Sequence, residues 1–186
     1  MSILESPRTS PDASWTTGAG HEVHFGIFAT VLGQMIVAGT AHGVSHIAFG
    51  DDDALLEQQF REVFADASVQ RDDASVASWA RSISAQLEGK ATTIDVPLNV
   101  SGTPFQQRVW TELRRIPFGE SRSYQELAIS IGQPAAARAV AGACASNRVA
   151  VVIPCHRVIR GTGELGGYRW GVERKQKLLD LERPGA

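Results

Sequence analysis

Hydrophobic and polar positions recur with two different periods along this chain. From Val23 to Phe49 the apolar residues fall into three short runs, 23–30, 33–38 and 44–49, separated by glycine-bearing turns. Such runs with such short connections predict strands paired as an antiparallel meander. After Asp51-Asp52-Asp53, whose charge suits a helix N-terminus, the spacing lengthens to that of amphipathic helices at 53–65 and 73–88, the second stopped by Gly89. Residues 92–96 read as one more strand and 97–102 as a linker.

Beyond residue 102 the pattern is helical. Thr103-Pro104-Phe105-Gln106 supplies a capping hydroxyl, a first-turn proline and a glutamine three residues on, so a helix is predicted to about Arg115, ended by Pro117-Phe118-Gly119. Ser123-Tyr124-Gln125-Glu126 is a second capping box, opening a short helix that Gly132 closes. A third helix is predicted from near Pro134 through Ser146; nearly all its side chains are small, and only Arg138 is long. Two short helices joined by the tight turn 131–134 have the proportions of a helix-turn-helix. The apolar run 149–153 reads as a buried strand, and 174–181 as a last helix. The sum is an α+β chain: a tail at 1–20, a small α/β unit with an antiparallel sheet at 21–97, and a helical unit at 102–186.

Composition narrows the class. With 43% hydrophobic and 20% charged residues the chain reads as globular, and no apolar run approaches the roughly 18 residues of a membrane span. The first twenty residues are rich in Ser, Thr, Pro and Gly and lack the basic and apolar segments of a signal peptide. Cys144 and Cys155 are too few for a disulfide framework and suit a reducing cytoplasm. His21/His24 and His42/His46 are spaced pairs, but no Cys joins them, so no metal site is expected. The net charge of -2 hides a split: residues 1–100 carry 5 Lys or Arg against 13 Asp or Glu, and residues 101–186 carry 13 against 7. A basic second half suits a polyanionic partner.

Pro154-Cys155-His156-Arg157-Val158 concentrates the chemistry. Sulfur is nucleophilic as thiolate, and a nearby imidazole is one way to obtain one near neutral pH. On an extended chain Cys155 and His156 point to opposite faces, so a bridging water is expected between them, with a carboxylate orienting the imidazole. Spacing leaves Glu164, Glu173, Asp180 and Glu182 all open for that role. Asn147 ends the small-residue helix, as a C-cap or as a brace for the turn before Cys155. Tyr124, opening its helix, reads as packing or as a pocket residue, and Cys144 as structural.

The Pro-Cys-His-Arg-Val core, Phe105-Gln106-Gln107-Arg108-Val109-Trp110, Ile116-Pro117-Phe118-Gly119-Glu120, Ser123-Tyr124-Gln125-Glu126-Leu127, Ala137-Arg138-Ala139-Val140 and Ser146-Asn147 together resemble the O6-alkylguanine-DNA alkyltransferases. The resemblance covers 102–182 strongly and 21–100 more weakly, and the ending 167–175 is most similar to the bacterial adaptive-response members. It implies a ribonuclease H-like first unit and a winged-helix-like second. It also implies irreversible, stoichiometric transfer of an alkyl group from O6-alkylguanine, and from O4-alkylthymine, to Cys155, without a cofactor. By resemblance His156 is the water-linked base, Glu182 its carboxylate and Asn147 the brace. Tyr124 contacts the guanine and helps rotate the nucleotide out; Arg138 fills the vacated stack. Ala137, Ser123 and Tyr124 touch DNA in the minor groove, and Val158, Tyr168 and Arg169 line the pocket. A monomer in the bacterial cytoplasm, associated with the nucleoid, follows. Some relatives carry an N-terminal zinc site; no Cys precedes Cys144, so none is expected here. A non-catalytic binder of alkylated DNA and a helix-turn-helix regulator are the alternatives, and Cys155 argues against the first.

Overall fold

The computed structural model describes residues 22–183, so the tail at 1–20 and His21 lie outside the described residues. Three strands form the expected meander: β1 (Glu22–Thr30), β2 (Gly33–Thr40) and β3 (Gly43–Gly50). Glycine at positive φ permits each hairpin: Gly33 sits at +100° and Gly43 at +133°. Helix α1 (Asp53–Val63) is capped by Asp52, whose side chain accepts from the Leu55 amide. Next come strand β4 (Ser68–Arg71) and helix α2 (Asp73–Leu87), the latter capped by Asp72.

The sheet order is β3-β2-β1-β4, with β4 parallel to β1. Phe60 of α1 packs on Phe25, while α2 reaches the opposite face, where Gly26 lies against Asp73 and Gly39 against Trp79. Covering both faces explains why β2 and β3 are buried almost continuously instead of alternating.

In the second half, α3 (Pro104–Leu113) and α4 (Tyr124–Ser130) carry both expected capping boxes, at Thr103/Gln106 and Ser123/Glu126. Helix α5 (Ala137–Ala145) packs on both, and the Trp110 indole donates to the Ala143 carbonyl at 2.9 Å. A two-residue strand β5 (Arg122–Ser123) runs parallel to β6 (Val158–Ile159), and α6 (Val172–Leu181) ends the described chain.

Three expectations are corrected. Residues 92–96 form no strand; the fourth strand is β4, which pairs with β1 across a distance that local periodicity does not register. Helix α5 starts at Ala137, three residues after Pro134, because residues 134–136 are spent on the turn. Residues 149–153 form no strand either. Only Val149 bridges to β3, and the chain then folds back through two tight turns.

The two halves join along the outer edge of β3. Ile47 donates to the Arg148 carbonyl at 2.8 Å and accepts from Ala150 at 3.1 Å, while Val44 pairs with the segment at Pro97 and Asn99. The expected linker is therefore fastened to the sheet. Arg174 adds a link from α6, donating to the Leu32 carbonyl and pairing with Asp51.

Candidate active site

Cys155 is placed by turns rather than by a strand. Val152 donates to the Ala150 carbonyl across Val151, whose φ of +69° lies in the left-handed region. For a β-branched residue that conformation is strained by on the order of 1–3 kcal/mol. Cys155 in turn donates to Ile153 across Pro154 at φ -82° and ψ 60°, an inverse γ-turn that fixed proline geometry favours. Residues Cys155–Arg157 then form a single 3-10 turn, so the extended backbone expected there is replaced by a tight coil.

Asn147, fully buried, holds these turns together. Its Nδ2 donates to the Ile153 carbonyl at 2.8 Å and to the Cys155 Sγ at 3.2 Å, and its Oδ1 accepts from the Val149 amide at 2.9 Å. Cys155 is 6% exposed. Burial pushes its pKa up; the Asn147 hydrogen bond and the nearby Lys175 charge pull the other way without cancelling it. The resting group is a thiol and needs a base.

His156, next in sequence, is completely buried. Among the four carboxylates left open by spacing, Glu182 is the one that meets it: His156 Nε2 lies 2.8 Å from Glu182 Oε1. Burial alone would raise the Glu182 pKa, but the bonds from His156 and Arg157 hold it down at about 2. With the carboxylate ionised, Nε2 carries the ring proton and Nδ1 keeps its lone pair. Nδ1 is buried and without a hydrogen-bond partner among the described residues. Burial also lowers the His156 pKa, against the opposing pull of Glu182, so the ring is neutral and able to accept a proton.

Two residues of this site were not assigned roles from sequence. Arg157 clamps Glu182 with Nε at 2.7 Å and Nη2 at 2.9 Å, and donates to the Ile116 carbonyl at 2.7 Å. Lys175 on α6 is buried and donates to the carbonyls of Val158, Leu165 and Gly167, tying the loop after β6 to the helix. Arg157 stands inside the motif and carried a signal; Lys175 carried none, since a lysine on a helix reads as solvated.

The other expected residues fall around this centre. Tyr124 is half-buried at the start of α4, with its hydroxyl close to Gly166, whose φ of +68° and lack of a Cβ let the loop approach. Burial, then Cys144 and Cys155, raise its pKa. Tyr168 stacks edge-on to His156 and Trp170, its hydroxyl buried. Val158 is fully buried, and Arg169 donates to the Ala145 carbonyl at the end of α5. Ser123 is engaged as the α4 cap, Ala137 opens α5, and the Arg138 side chain is exposed beside it. Cys144 is buried. Among the described residues no group of three or more His, Cys, Asp or Glu is placed to hold a metal ion, and no helix is long and apolar enough to cross a membrane.

A buried thiol with its own hydrogen-bond donor and a carboxylate-locked neutral histidine thus stand beside a two-helix unit. Residues 104–184 match the family described as 6-O-methylguanine DNA methyltransferase, DNA binding domain. The chain belongs to the methylated-DNA–protein-cysteine methyltransferase family. It is 37% identical over 164 residues to the Mycobacterium tuberculosis protein of that name, covering 88% of this chain and 94% of the relative. It is 46% identical over 165 residues to the "bifunctional transcriptional activator/DNA repair enzyme Ada" of Escherichia coli, covering 89% of this chain but 47% of Ada. The chain thus spans about half the length of the Ada proteins it matches. A solved M. tuberculosis O6-methylguanine methyltransferase superposes with a TM-score of 0.74 at 37% identity, covering 88% of this chain and 96% of that one. An M. tuberculosis OGT in complex with DNA gives 0.71 at 34%, covering 87% and 96%.

Proposed function

We propose that this chain repairs DNA by transferring the alkyl group of O6-alkylguanine, and of O4-alkylthymine, irreversibly to Cys155, once per molecule. The observation that carries this is the buried Cys155 thiol, held by Asn147 next in sequence to a neutral histidine with one open lone pair. The thiol proton passes through a bridging water to His156 Nδ1, while Glu182 and Arg157 fix the ring. The thiolate attacks the alkyl carbon in line; the S–C bond forms as the C–O6 bond breaks, and the electron pair leaves on the purine. The Tyr124 hydroxyl, kept protonated by its raised pKa, hydrogen-bonds the purine as that charge develops, and the relayed proton returns it to neutral. The thioether's C–S bond is not activated toward water, so the alkyl group stays on the sulfur.

A base inside a duplex cannot reach a buried sulfur, so the nucleotide is extruded, at a cost of a few kcal/mol. The α4–α5 pair acts as a helix-turn-helix within a winged-helix-like unit, and the small-residue α5 lies in the minor groove. Arg138 fills the stack, Ala137, Ser123 and Tyr124 touch DNA in the minor groove, and Val158, Tyr168 and Arg169 line the pocket. Residues 21–97 form a ribonuclease H-like unit beside it. The protein acts as a monomer on the DNA of a bacterial cytoplasm.

Incubation with O6-benzylguanine, followed by peptide mapping in a mass spectrometer, tests this. One benzyl group on the Cys155 peptide is expected. Its absence, with alkylated duplex still bound, overturns the transfer activity and returns a non-catalytic binder.

A further inference from the structure

Two buried polar atoms of the acceptor site have no hydrogen-bond partner among the described residues: His156 Nδ1 and the hydroxyl of Tyr168. They belong to neighbouring rings. The Tyr168 and His156 centroids lie 6.5 Å apart with the planes at 80°, a separation across which one water molecule can bond to both side chains. Both rings are held in place. His156 is fixed through Nε2 by Glu182, and the Tyr168 ring packs at 5.1 Å against Trp170. The Tyr168 carbonyl accepts from the Gly171 amide at 3.1 Å, and Arg174 on α6 donates to the Trp170 carbonyl at 3.0 Å. A buried polar atom left alone is costly, so a fold that holds two of them on adjacent rings favours a molecule that serves both. Tyr124 differs in this respect, being half-buried with its hydroxyl against Gly166, whereas the Tyr168 hydroxyl is turned into the interior. The Tyr168 ring can line the pocket while its hydroxyl does not reach into it.

We propose that Tyr168 is a positioning residue for the proton relay: its hydroxyl donates to the oxygen of the water that links the Cys155 thiol to His156 Nδ1. The role rests on alkyl transfer to Cys155 as proposed above, and it gives that water a third protein partner, the number that buried waters typically have. As the thiolate forms, the S–H proton passes to the water oxygen while the water passes one of its own protons to Nδ1. The Tyr168 proton stays on its own oxygen and holds the water in line. Burial first, then the charges of Cys155 and Glu182, raise the Tyr168 pKa well above its ordinary range, so the hydroxyl remains a donor throughout. That the thiol and the carboxylate both act on it accords with an oxygen on the relay's side of the ring. With the hydroxyl removed, the water keeps two anchors instead of three and is less often aligned between sulfur and Nδ1.

Single-turnover benzyl transfer from free O6-benzylguanine, followed over a range of concentrations in the purified full chain, tests this. Tyr168→Phe is expected to lower the saturating rate about tenfold, with the half-saturating concentration kept within about twofold because the lost hydroxyl does not meet the base. In a His156→Gln background, where no relay remains to be positioned, the same replacement should change the rate by less than about twofold; a role in packing alone would carry its full loss into that background. Nitrogen-15 NMR of the unreacted protein gives a reading independent of transfer: the His156 Nδ1 signal should lie upfield of an unbonded imine nitrogen in wild type and move toward it in Tyr168→Phe. A saturating rate in folded Tyr168→Phe within about twofold of wild type overturns the proposal, as does an equal loss in the His156→Gln background. A loss expressed only as a raised half-saturating concentration assigns the hydroxyl to the base and overturns it too. So does a wild-type Nδ1 signal at the unbonded position, or one that stays in place in Tyr168→Phe. A wild type that takes up no benzyl group fails the transfer reading itself, and the NMR comparison then still decides whether the hydroxyl and Nδ1 share a partner.

Discussion

Replacing Glu182 by Gln tests how far the site depends on one carboxylate. Its two oxygens accept four bonds, from His156 at 2.8 Å, from Arg157 at 2.7 and 2.9 Å, and from the Gly119 amide at 3.3 Å. Glutamine keeps the shape but replaces one oxygen by a donor, so at least one Arg157 N–H faces another N–H and the guanidinium is buried without a counter-charge. Removing one partner of a buried pair costs roughly 3–5 kcal/mol. The pKa gives a second route: a carboxyl moved from 4.5 to about 2 contributes about 3 kcal/mol at neutral pH, at 1.36 kcal/mol per unit. The two agree, and for a chain of this size they predict a Tm lower by about 6–20 °C. The sign follows from the depressed pKa. The carboxylate's stabilisation is complete above about pH 5 and fades as pH falls from 4.5 toward 2, so the gap between wild type and Glu182→Gln is constant from pH 7 to 5 and narrows below. Thermal melts of both proteins across that range, with benzyl transfer measured in parallel, decide it. A variant within about 1 kcal/mol of wild type at pH 7, or a gap that does not narrow in acid, refutes the reasoning.

Other outcomes follow from the same geometry. Because burial keeps the His156 pKa below 6.5, the transfer rate should stay flat as pH falls from 7.5 through 6.5 and decline only in more acid solution; a half-maximal rate at pH 6.5 or above counts against His156 as the base. Arg138→Ala should slow repair of duplex DNA at least about tenfold more than reaction with free O6-benzylguanine, since only the duplex requires extrusion; equal losses reject the intercalating role. Lys175→Met leaves three carbonyls without their donor, a loss of about 3 kcal/mol or more. Hydrogen exchange in residues 159–168 should quicken, and unchanged protection there would show that the lysine does not hold the loop. Asn147→Ala should slow benzyl transfer more than it weakens duplex binding, because the amide touches Sγ; parallel losses would assign it to folding alone.

The parts legible in the sequence were those whose cause is local. The boxes at Thr103/Gln106 and Ser123/Glu126 need only residues three apart, and both form. Strand β4 eluded the pattern because its four residues are mostly exposed and it owes its conformation to β1, more than forty residues away. Residues 149–153 misled in the other direction: they are as apolar as a buried strand, but the Asn147 side chain takes the place of ladder partners and lets the chain turn. Arg157 and Lys175 were invisible as buried groups, since their partners at Glu182, Ile116 and Leu165 are brought to them only by the fold.

The fastening of Ile47 to Arg148 and Ala150 has a consequence for the order of assembly. It joins positions about a hundred residues apart, and contacts of that span close late because loop entropy must be overcome before they contribute. The turn that strains Val151 and aims the sulfur rests on this junction. The arrangement that the proposed function requires of Cys155 is therefore expected to be complete only once the sheet edge and the last helix have both docked.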